Sequence, residues 1–286
     1  MKTTERRPRV RRLVALSALL GLVGCLWHSN RVIQVVESTF SSPRLPAAFD
    51  GFTIVQLSDL HGAEFGAGQK ELMRQVAAAR PDLIAITGDL LDRIWNTPVE
   101  YALSLCQQLV DIAPVFFVTG NHEWALGGEQ CRTLIQGLKE VGVTCLENEA
   151  VALERNGEQL VVAGIHDPNG YADQRTPAET AALVYARYGD PFWLLLAHRN
   201  DRFEQQYATL GADLTLSGHG HGGIIRLPFT DGLLGTNRRL FPSWTSGFYE
   251  AQGAWVYVSR GLGNTGHSLR LFNQPELAVI HLRREE

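Results

Sequence analysis

Short apolar runs alternate with segments of helical period along this chain, and that alternation predicts most of its architecture. Residues 52–57 read as a buried strand, followed by a helix over 69–79 that puts Leu72, Val76 and Ala79 on one face and ends before Pro81. The alternation continues with a strand over 82–87, a helix over 98–110, a strand over 115–119 and a helix over 129–141. After Gly142 the period changes. Residues 151–154 and 159–163 flank Asn156-Gly157, a pair that favours a tight hairpin turn. A helix over 176–188 follows, then strands over 192–196 and 213–216 with a short helix between them, and late strands over 255–258 and 277–282. Residues 30–50, which contain Ser-Ser-Pro-Arg-Leu-Pro, read as a connecting stretch because the prolines favour extended backbone. Strands alternating with helices first, and hairpins later, imply two mixed β-sheets packed together and flanked by helices. Residues 222–253 show little periodicity and many rings (Phe229, Phe241, Trp244, Phe248, Tyr249). They read either as a long loop that shapes a binding site or as one packed down by its aromatics.

The N-terminus changes the picture more than the overall composition does. A hydrophobic content of 45% over 286 residues is enough for one large domain. The net charge of −4 is uneven, because Lys2, Arg6, Arg7, Arg9, Arg11 and Arg12 face only Glu5 within the first twelve residues. The rest of the chain is therefore more acidic than the total, which argues against nucleic acid as the main partner. Residues 13–27 carry no charge. As a helix they would cover about 22 Å, short of a bilayer span. The stretch reads as a signal segment, or as a membrane anchor extended through 28–30, with a buried helix as the plain alternative. Arg11-Arg12 weakly resembles a twin-arginine signal, and Leu22-Val23-Gly24-Cys25 a lipobox that would lipidate Cys25. A basic flank stays in the cytoplasm, so the domain should face outward. The organisation is then 1–29 as basic segment plus anchor or signal, 30–49 as linker and 50–286 as the functional domain. Cys106, Cys131 and Cys145 show no metal or redox spacing, and the first and second read as buried helical residues.

Five segments carry candidate chemistry. They are Ser58-Asp59-Leu60-His61-Gly62, Gly88-Asp89-Leu90-Leu91-Asp92-Arg93, Gly120-Asn121-His122-Glu123, Leu196-Ala197-His198-Arg199 and Gly218-His219-Gly220-His221-Gly222. Four of them directly follow an apolar run, so their side chains should gather along one edge of a sheet. Asp59 and His61 are two apart, as are His219 and His221, and in extended strand ends each pair would project to one face. Carboxylate, amide and imidazole donors without thiolate suit Mn, Fe or Zn at a reactive site rather than a structural zinc. In this order the five segments point to a two-metal hydrolase.

The series Asp-x-His, Gly-Asp-x-x-Asp, Gly-Asn-His-Glu, a lone His and Gly-His-x-His resembles the calcineurin-like metallophosphoesterases, over roughly residues 50–282. Gly222-Gly223-Ile224-Ile225-Arg226-Leu227-Pro228 and Ser259-Arg260-Gly261-Leu262-Gly263 resemble its bacterial membrane-anchored YkuE/YaeI-like branch. One departure is Asn200, where many relatives have Pro two residues after the lone His. The resemblance implies a four-layer αββα sandwich, within the α/β (α+β) class. It implies two divalent ions, Mn first with Fe or Zn as alternatives. Asp89 would bridge them, with Asp59, His61 and His221 on one ion and Asn121, His198 and His219 on the other. His122 would stabilise the phosphoryl oxygens or protonate the leaving group, Asp92 would orient it, and Arg93 would bind substrate phosphate. The implied activity is hydrolysis of phosphomonoesters or phosphodiesters by a metal-bridging hydroxide, on a substrate that is a small molecule or lipid-linked. The expected location is the bacterial cell membrane with the catalytic domain extracytoplasmic. Two alternatives are a pyrophosphate hydrolase acting on UDP-diacylglucosamine in lipid A synthesis, on the cytoplasmic side, and a non-catalytic metal-binding domain. His166-Asp167 follows a strand and reads as a surface loop pair, with a place lining the cleft as the alternative; Arg260 reads as a residue that holds loops together or else reaches the cleft, and His28, His267 and His281 as structural or solvated.

Overall fold

The computed structural model describes residues 6–227, 231–235 and 239–285, with side chains from Val10 onward. Lys2, Glu5, Pro228 and Phe229 lie outside the described residues, and so do the side chains of Arg6, Arg7 and Arg9. The first half runs α1 (Arg6–Arg31), β1 (Gln34–Ser42), β2 (Thr53–Leu57), α2 (Lys70–Ala79), β3 (Leu83–Ile86), α3 (Val99–Val110), β4 (Val115–Phe117), α4 (Asn121–Ala125), α5 (Gly128–Glu140) and β5 (Thr144–Cys145). The second runs β6 (Glu149–Arg155), β7 (Glu158–Ile165), α6 (Pro177–Tyr188), β8 (Trp193–Arg199), β9 (Leu214–Gly218), β10 (Ile225–Arg226), β11 (Gly232–Leu234), β12 (Gly247–Ala251), β13 (Ala254–Val258) and β14 (Glu276–Arg284).

Two six-stranded sheets form the middle, in the orders β1-β14-β2-β3-β4-β5 and β12-β13-β9-β8-β7-β6. Each is mixed. In the first, β2 to β5 run parallel and β14 is antiparallel to β2; in the second, β13, β9, β8 and β7 run parallel, with β6 and β12 antiparallel at the edges. The period of two along each strand sorts side chains into separate layers. Val55, Leu57, Ile84, Ile86 and Phe117 face α2, α3 and α5, packing on Leu72, Leu105 and Leu134. Ile54, Leu83, Ala85 and Phe116 face Leu194, Leu196, Leu214 and Leu216 of the second sheet. Trp193, Leu195 and Ala197 face outward onto Ala181, Val184 and Phe203. Three apolar interfaces between four layers make an αββα sandwich. Local chemistry agrees with it: Thr176 and Glu179 exchange side-chain-to-backbone bonds that start α6, with Pro177 at its first turn.

Three sequence expectations need correction. Within the stretch read as a linker over 30–49, β1 pairs in parallel with all nine residues of β14. Only Phe40 and Ser42 of β1 are buried, so an edge strand of polar residues lacked the apolar run that identifies a strand. The uncharged 13–27 segment underestimates the first helix, because α1 continues through charged residues on both sides. Val10–Arg31 has a mean hydropathy of 1.7 over its best window and is long and apolar enough to cross a membrane, with none of that window buried in the molecule. That exposure excludes the buried-helix alternative. Finally, 222–253 contains the β10–β11 ribbon and β12, with Trp244 packed on Phe203 and Tyr249, and Phe248 on Tyr257. Cys106 and Cys131 are buried on α3 and α5, as the pattern suggests.

The sheets meet closely at Gly164 of β7, where an added Cβ would lie 2.5 Å from both Leu146 Cβ and Val118 Cγ1. Gly164→Val should therefore destabilise the fold by about 1–3 kcal/mol through overpacking, read as a lowered urea midpoint. An unchanged midpoint would show that the two sheets can separate there freely.

Candidate metal centre

The candidate donors sit at the carboxyl ends of parallel strands from both sheets, a usual ligand-binding edge in α/β folds. Asp59 and His61 follow β2, Asp89 and Asp92 follow β3, and Asn121 and His122 open α4 after β4. His198 is the penultimate residue of β8, and His219 and His221 follow β9. Extended strand ends do not bring the pairs together. Asp59, His61, Asp89, His219 and His221 all have positive φ, between 47° and 68°. Left-handed backbone costs such residues on the order of 1 kcal/mol each, and persists only where neighbours enforce it. Here the loops enforce it on one another. Asp59, His61 and Gly62 donate backbone bonds to the carbonyls of Gly88, Asp89 and Leu90, and Leu262 and Gly263 donate to those of Ser58 and Asp59. Close approach also demands glycine at Gly120, where a Cβ would come 2.6 Å from Asp89 N and closer still to its carboxylate.

The distances between donor atoms test whether ions fit. Ligand bonds of about 2.1 Å place adjacent donors about 3.0 Å apart around an octahedral ion and about 3.4 Å around a tetrahedral one. In one group, His221 Nε2 is 3.1 Å from His61 Nε2 and 3.3 Å from Asp59 Oδ1. In the other, His198 Nε2 is 3.2 Å from each of Asn121 Oδ1, His219 Nδ1 and Asp89 Oδ2. Asp89 Oδ2 also lies 3.7 Å from His61 Nε2, so this oxygen faces both groups. His198 Nδ1 meets the Thr87 carbonyl at 2.8 Å, which keeps the proton on Nδ1 and leaves Nε2 free as a donor to an ion. The residues fit divalent ions.

Surrounding side chains fix this arrangement. Asp92 Oδ2 accepts from the Gly266 N–H and lies 3.3 Å from His61 Nδ1, closer than its 3.8 Å to His122 Nδ1. His122 Nδ1 instead accepts the Arg93 N–H at 3.2 Å, and its Nε2 lies 3.4 Å from Thr265 Oγ1. The Arg93 side chain is exposed beside this histidine. The sequence reading of His166-Asp167 as a surface pair is overturned: both are buried, His166 against Thr119, and Asp167 paired with Arg199 at 2.7 Å. Arg199 in turn lies 3.3 Å from His219 Nε2. Asn200, at the position of the departure noted above, bonds the Trp244 carbonyl. Arg260 holds Glu276 and Gln34, the structural role expected of it.

Sequence reasoning missed two residues. Glu123 is buried and accepts the N–H groups of Asp89, Leu91 and Gly120, so one carboxylate shapes two of the loops. Burial, then the charge of Asp89, raise its pKa to about 7 despite those bonds. Arg270 is fully buried, with its guanidinium on the carbonyls of Gly263 and Arg260 and 3.4 Å from His221 Nδ1. A Gly-Asn-His-Glu segment hints at Glu123, whereas nothing local marks Arg270.

The electrostatics divide the imidazoles. Burial, His198 and Arg199 hold His219 well below the usual histidine range; burial, His61 and Arg270 do the same for His221. Both stay neutral, the form that ligates metal. Burial also opposes the charged form of His198 and His61, but is outweighed: Asp89 pushes His198 up to about 10, and Asp92, Asp89 and Asp59 raise His61. Asp89 is itself held well below the carboxylate range against the effect of burial, chiefly by His198. A buried carboxylate facing the imidazoles of both His61 and His198 calls for cations, and divalent ions can supply that charge without protons.

A family model for calcineurin-like phosphoesterases matches residues 52–223, which contain every donor described above. The chain belongs to that family. It is 30% identical to the metallophosphoesterase YkoQ of Bacillus subtilis over 91% of this chain and 95% of the relative. It is likewise 30% identical to YkuE of the same organism over 94% and 92%, and 28% identical to the phosphodiesterase YaeI of Escherichia coli over 81% and 82%. The protein is a metal-dependent phosphoester hydrolase by family. In this calcineurin-like phosphoesterase, a cavity of about 430 Å³ adjoins His219 and is lined by Arg199, Asn200, Phe241 and Trp244.

Glu123→Gln keeps one acceptor oxygen but turns an amide N–H₂ toward a backbone donor. It should cost about 1–3 kcal/mol of stability and loosen the Asp89 and Gly120 loops together. Urea denaturation and metal content after dialysis should fall in step. A protein with its midpoint and metal content both retained would remove Glu123 from this role.

Proposed function

We propose that this phosphoesterase cleaves phosphomonoesters or phosphodiesters with two divalent ions, Mn first and Fe or Zn as alternatives. Asp59, His61 and His221 would hold one ion, Asn121, His198 and His219 the other, and Asp89 both. The observation that carries this reading is Asp89 Oδ2, set between His61 and His198 with donor spacings that suit one ion on either side. The phosphodiesterase name of YaeI supports a diester among the substrates. Bound ions would supply an acidified water as nucleophile and neutralise phosphoryl charge.

The side chains do the rest. His122 accepts a backbone N–H at Nδ1, so its own proton sits on Nε2, beside Thr265 and available to a phosphoryl or leaving-group oxygen. Burial lowers its pKa, which keeps it a neutral hydrogen-bond donor. Asp92 fixes the Gly266 loop and the His61 ring together, and so positions His122 only indirectly. Arg93, exposed beside His122, would meet substrate phosphate from the solvent side.

Chelation should abolish turnover of bis(p-nitrophenyl) phosphate, and Mn should restore it at least as well as Mg, since imidazole donors favour Mn. Asp89→Ala should lose both activity and most bound metal, while His122→Ala should keep its metal and lower kcat by roughly 10²–10⁴. Loss of metal from His122→Ala would reassign that imidazole to the ligands.

We place the catalytic part outside the cytoplasm, on the strength of Arg6, Arg7, Arg9, Arg11 and Arg12, which precede the uncharged stretch within α1. Protease added to intact spheroplasts should then digest it. Full protection there, with digestion only after lysis, reverses the orientation and favours a substrate made in the cytoplasm.

A further inference from the structure

The end of α1 is built into the wall of the candidate metal centre. Ser29 is buried and its Oγ accepts the Phe272 N–H. Asn30 accepts from the Arg270 N–H and from Asn264 Nδ2, and donates to the Arg270 carbonyl at 2.9 Å. The same short loop touches the catalytic side chains: Thr265 meets His122, Gly266 donates to Asp92, and Arg270 lies against His221. Whatever fixes α1 in a bilayer therefore fixes the mouth of the site beside that bilayer. A helix kept whole and a chain beginning at a lipidated Cys25 both leave Ser29 and Asn30 in place.

The outer surface of this region is apolar. Ile94, Trp95, Leu240, Phe241, Leu269 and Phe272 are large side chains left 50–75% exposed. The first two ride on the loop that α1 grips, since Trp95 donates to the Gly266 carbonyl and stacks edge-on against His267. Leu240 and Phe241 line the cavity beside His219. Solvated surfaces rarely expose so many large apolar residues on neighbouring loops beside a site. Trp and Phe next to exposed arginines, here Arg31 and Arg93, suit the headgroup layer of a membrane with anionic lipids.

We infer that this rim sits in the headgroup layer of the bilayer that α1 enters, and that the substrate is a phosphoester carried by a membrane lipid. The substrate half rests on the phosphoesterase reading above; the membrane contact does not. The lipid tail stays in the bilayer and only the phosphoester rises to the ions, so the mouth needs no channel for acyl chains. A soluble substrate would gain nothing from an apolar rim.

The test uses the full chain with Mn in phosphatidylcholine–phosphatidylglycerol vesicles. Two probes share a phosphodiester and leaving group and differ in tail: hexadecyl p-nitrophenyl phosphate in the vesicle and methyl p-nitrophenyl phosphate in solution. The double variant Leu269→Ser/Phe272→Ser should lose about tenfold or more in kcat/KM on the hexadecyl ester while the methyl ester changes less than about twofold. An equal effect on both esters, or on neither, overturns the lipid-substrate inference. If the wild type cleaves neither ester, the catalytic reading fails. The membrane contact is then decided by brominated lipids, which should quench the fluorescence that Trp95→Phe removes. An unquenched Trp95 in vesicle-bound protein overturns that contact, whatever the catalysis.

Discussion

Everything at this site depends on one carboxylate being held between two groups of donors, each drawn from both sheets. Asp89 comes from the first sheet, His198 and His219 from the second, and His61 from the first again. Asp89 Oδ1 accepts the His122 N–H, which turns Oδ2 toward His61 and His198. A slide of one sheet over the other by a fraction of a side chain would break that geometry. The packing of Ile54, Leu83 and Phe116 on Leu194, Leu196 and Leu216 is thus the means by which the donors stay in register. Gln56, buried between the sheets, bonds both Thr87 and the Ser217 carbonyl directly beneath the site, tying the two edges with one side chain.

The same constraint explains the backbone. Donors from separate loops can converge within about 3–4 Å only if the chain turns sharply at each strand end. Five non-glycine residues adopt left-handed φ to do so, and glycines fill the positions where even a Cβ would collide. Strain of this kind is stable because it is mutual. Each loop donates its backbone N–H groups to the next, and Glu123 gathers three of them from beneath. Ions arriving there would find the donors already placed, so little ordering would remain to oppose binding.

This division also accounts for what was legible in the sequence. Strands β2, β3, β4, β8 and β9 are buried on both faces and read as apolar runs, continuous in β3 and β4 and broken by Gln56 in β2 and by Thr215 in β9, so the polar segments after them stood out against that background. The seven proposed donors and His122 are accordingly brought together where the sequence suggested. β1 escaped notice because a half-exposed edge strand has no such run. The left-handed turns escaped because Asp and His carry no local signature for positive φ, and an extended pair was the simpler expectation. Arg270 was invisible, and the buried His166-Asp167 pair misjudged as a surface pair, for a different reason. Their roles come from partners far along the chain: Arg270 meets His221, and Asp167 reaches His219 only through Arg199. Local pattern carries burial well, but long-range electrostatics poorly.

Those distant partners join the two ends of the chain. The segment from Ser259 to Asn273 braces Asp59 through Leu262 and Gly263, braces Asp92 through Gly266, and reaches His221 through Arg270 and Asn273. It also receives Ser29 and Asn30 at the foot of α1. A force on that helix is therefore transmitted to the group of Asp59, His61 and His221 through hydrogen bonds rather than across a flexible linker. Had residues 30–49 been the loose connection first expected, the catalytic part could have rotated freely at the end of its tether. With β1 paired along β14 and Asn30 bonded into the site wall, the direction in which the mouth opens is set by the direction of the helix.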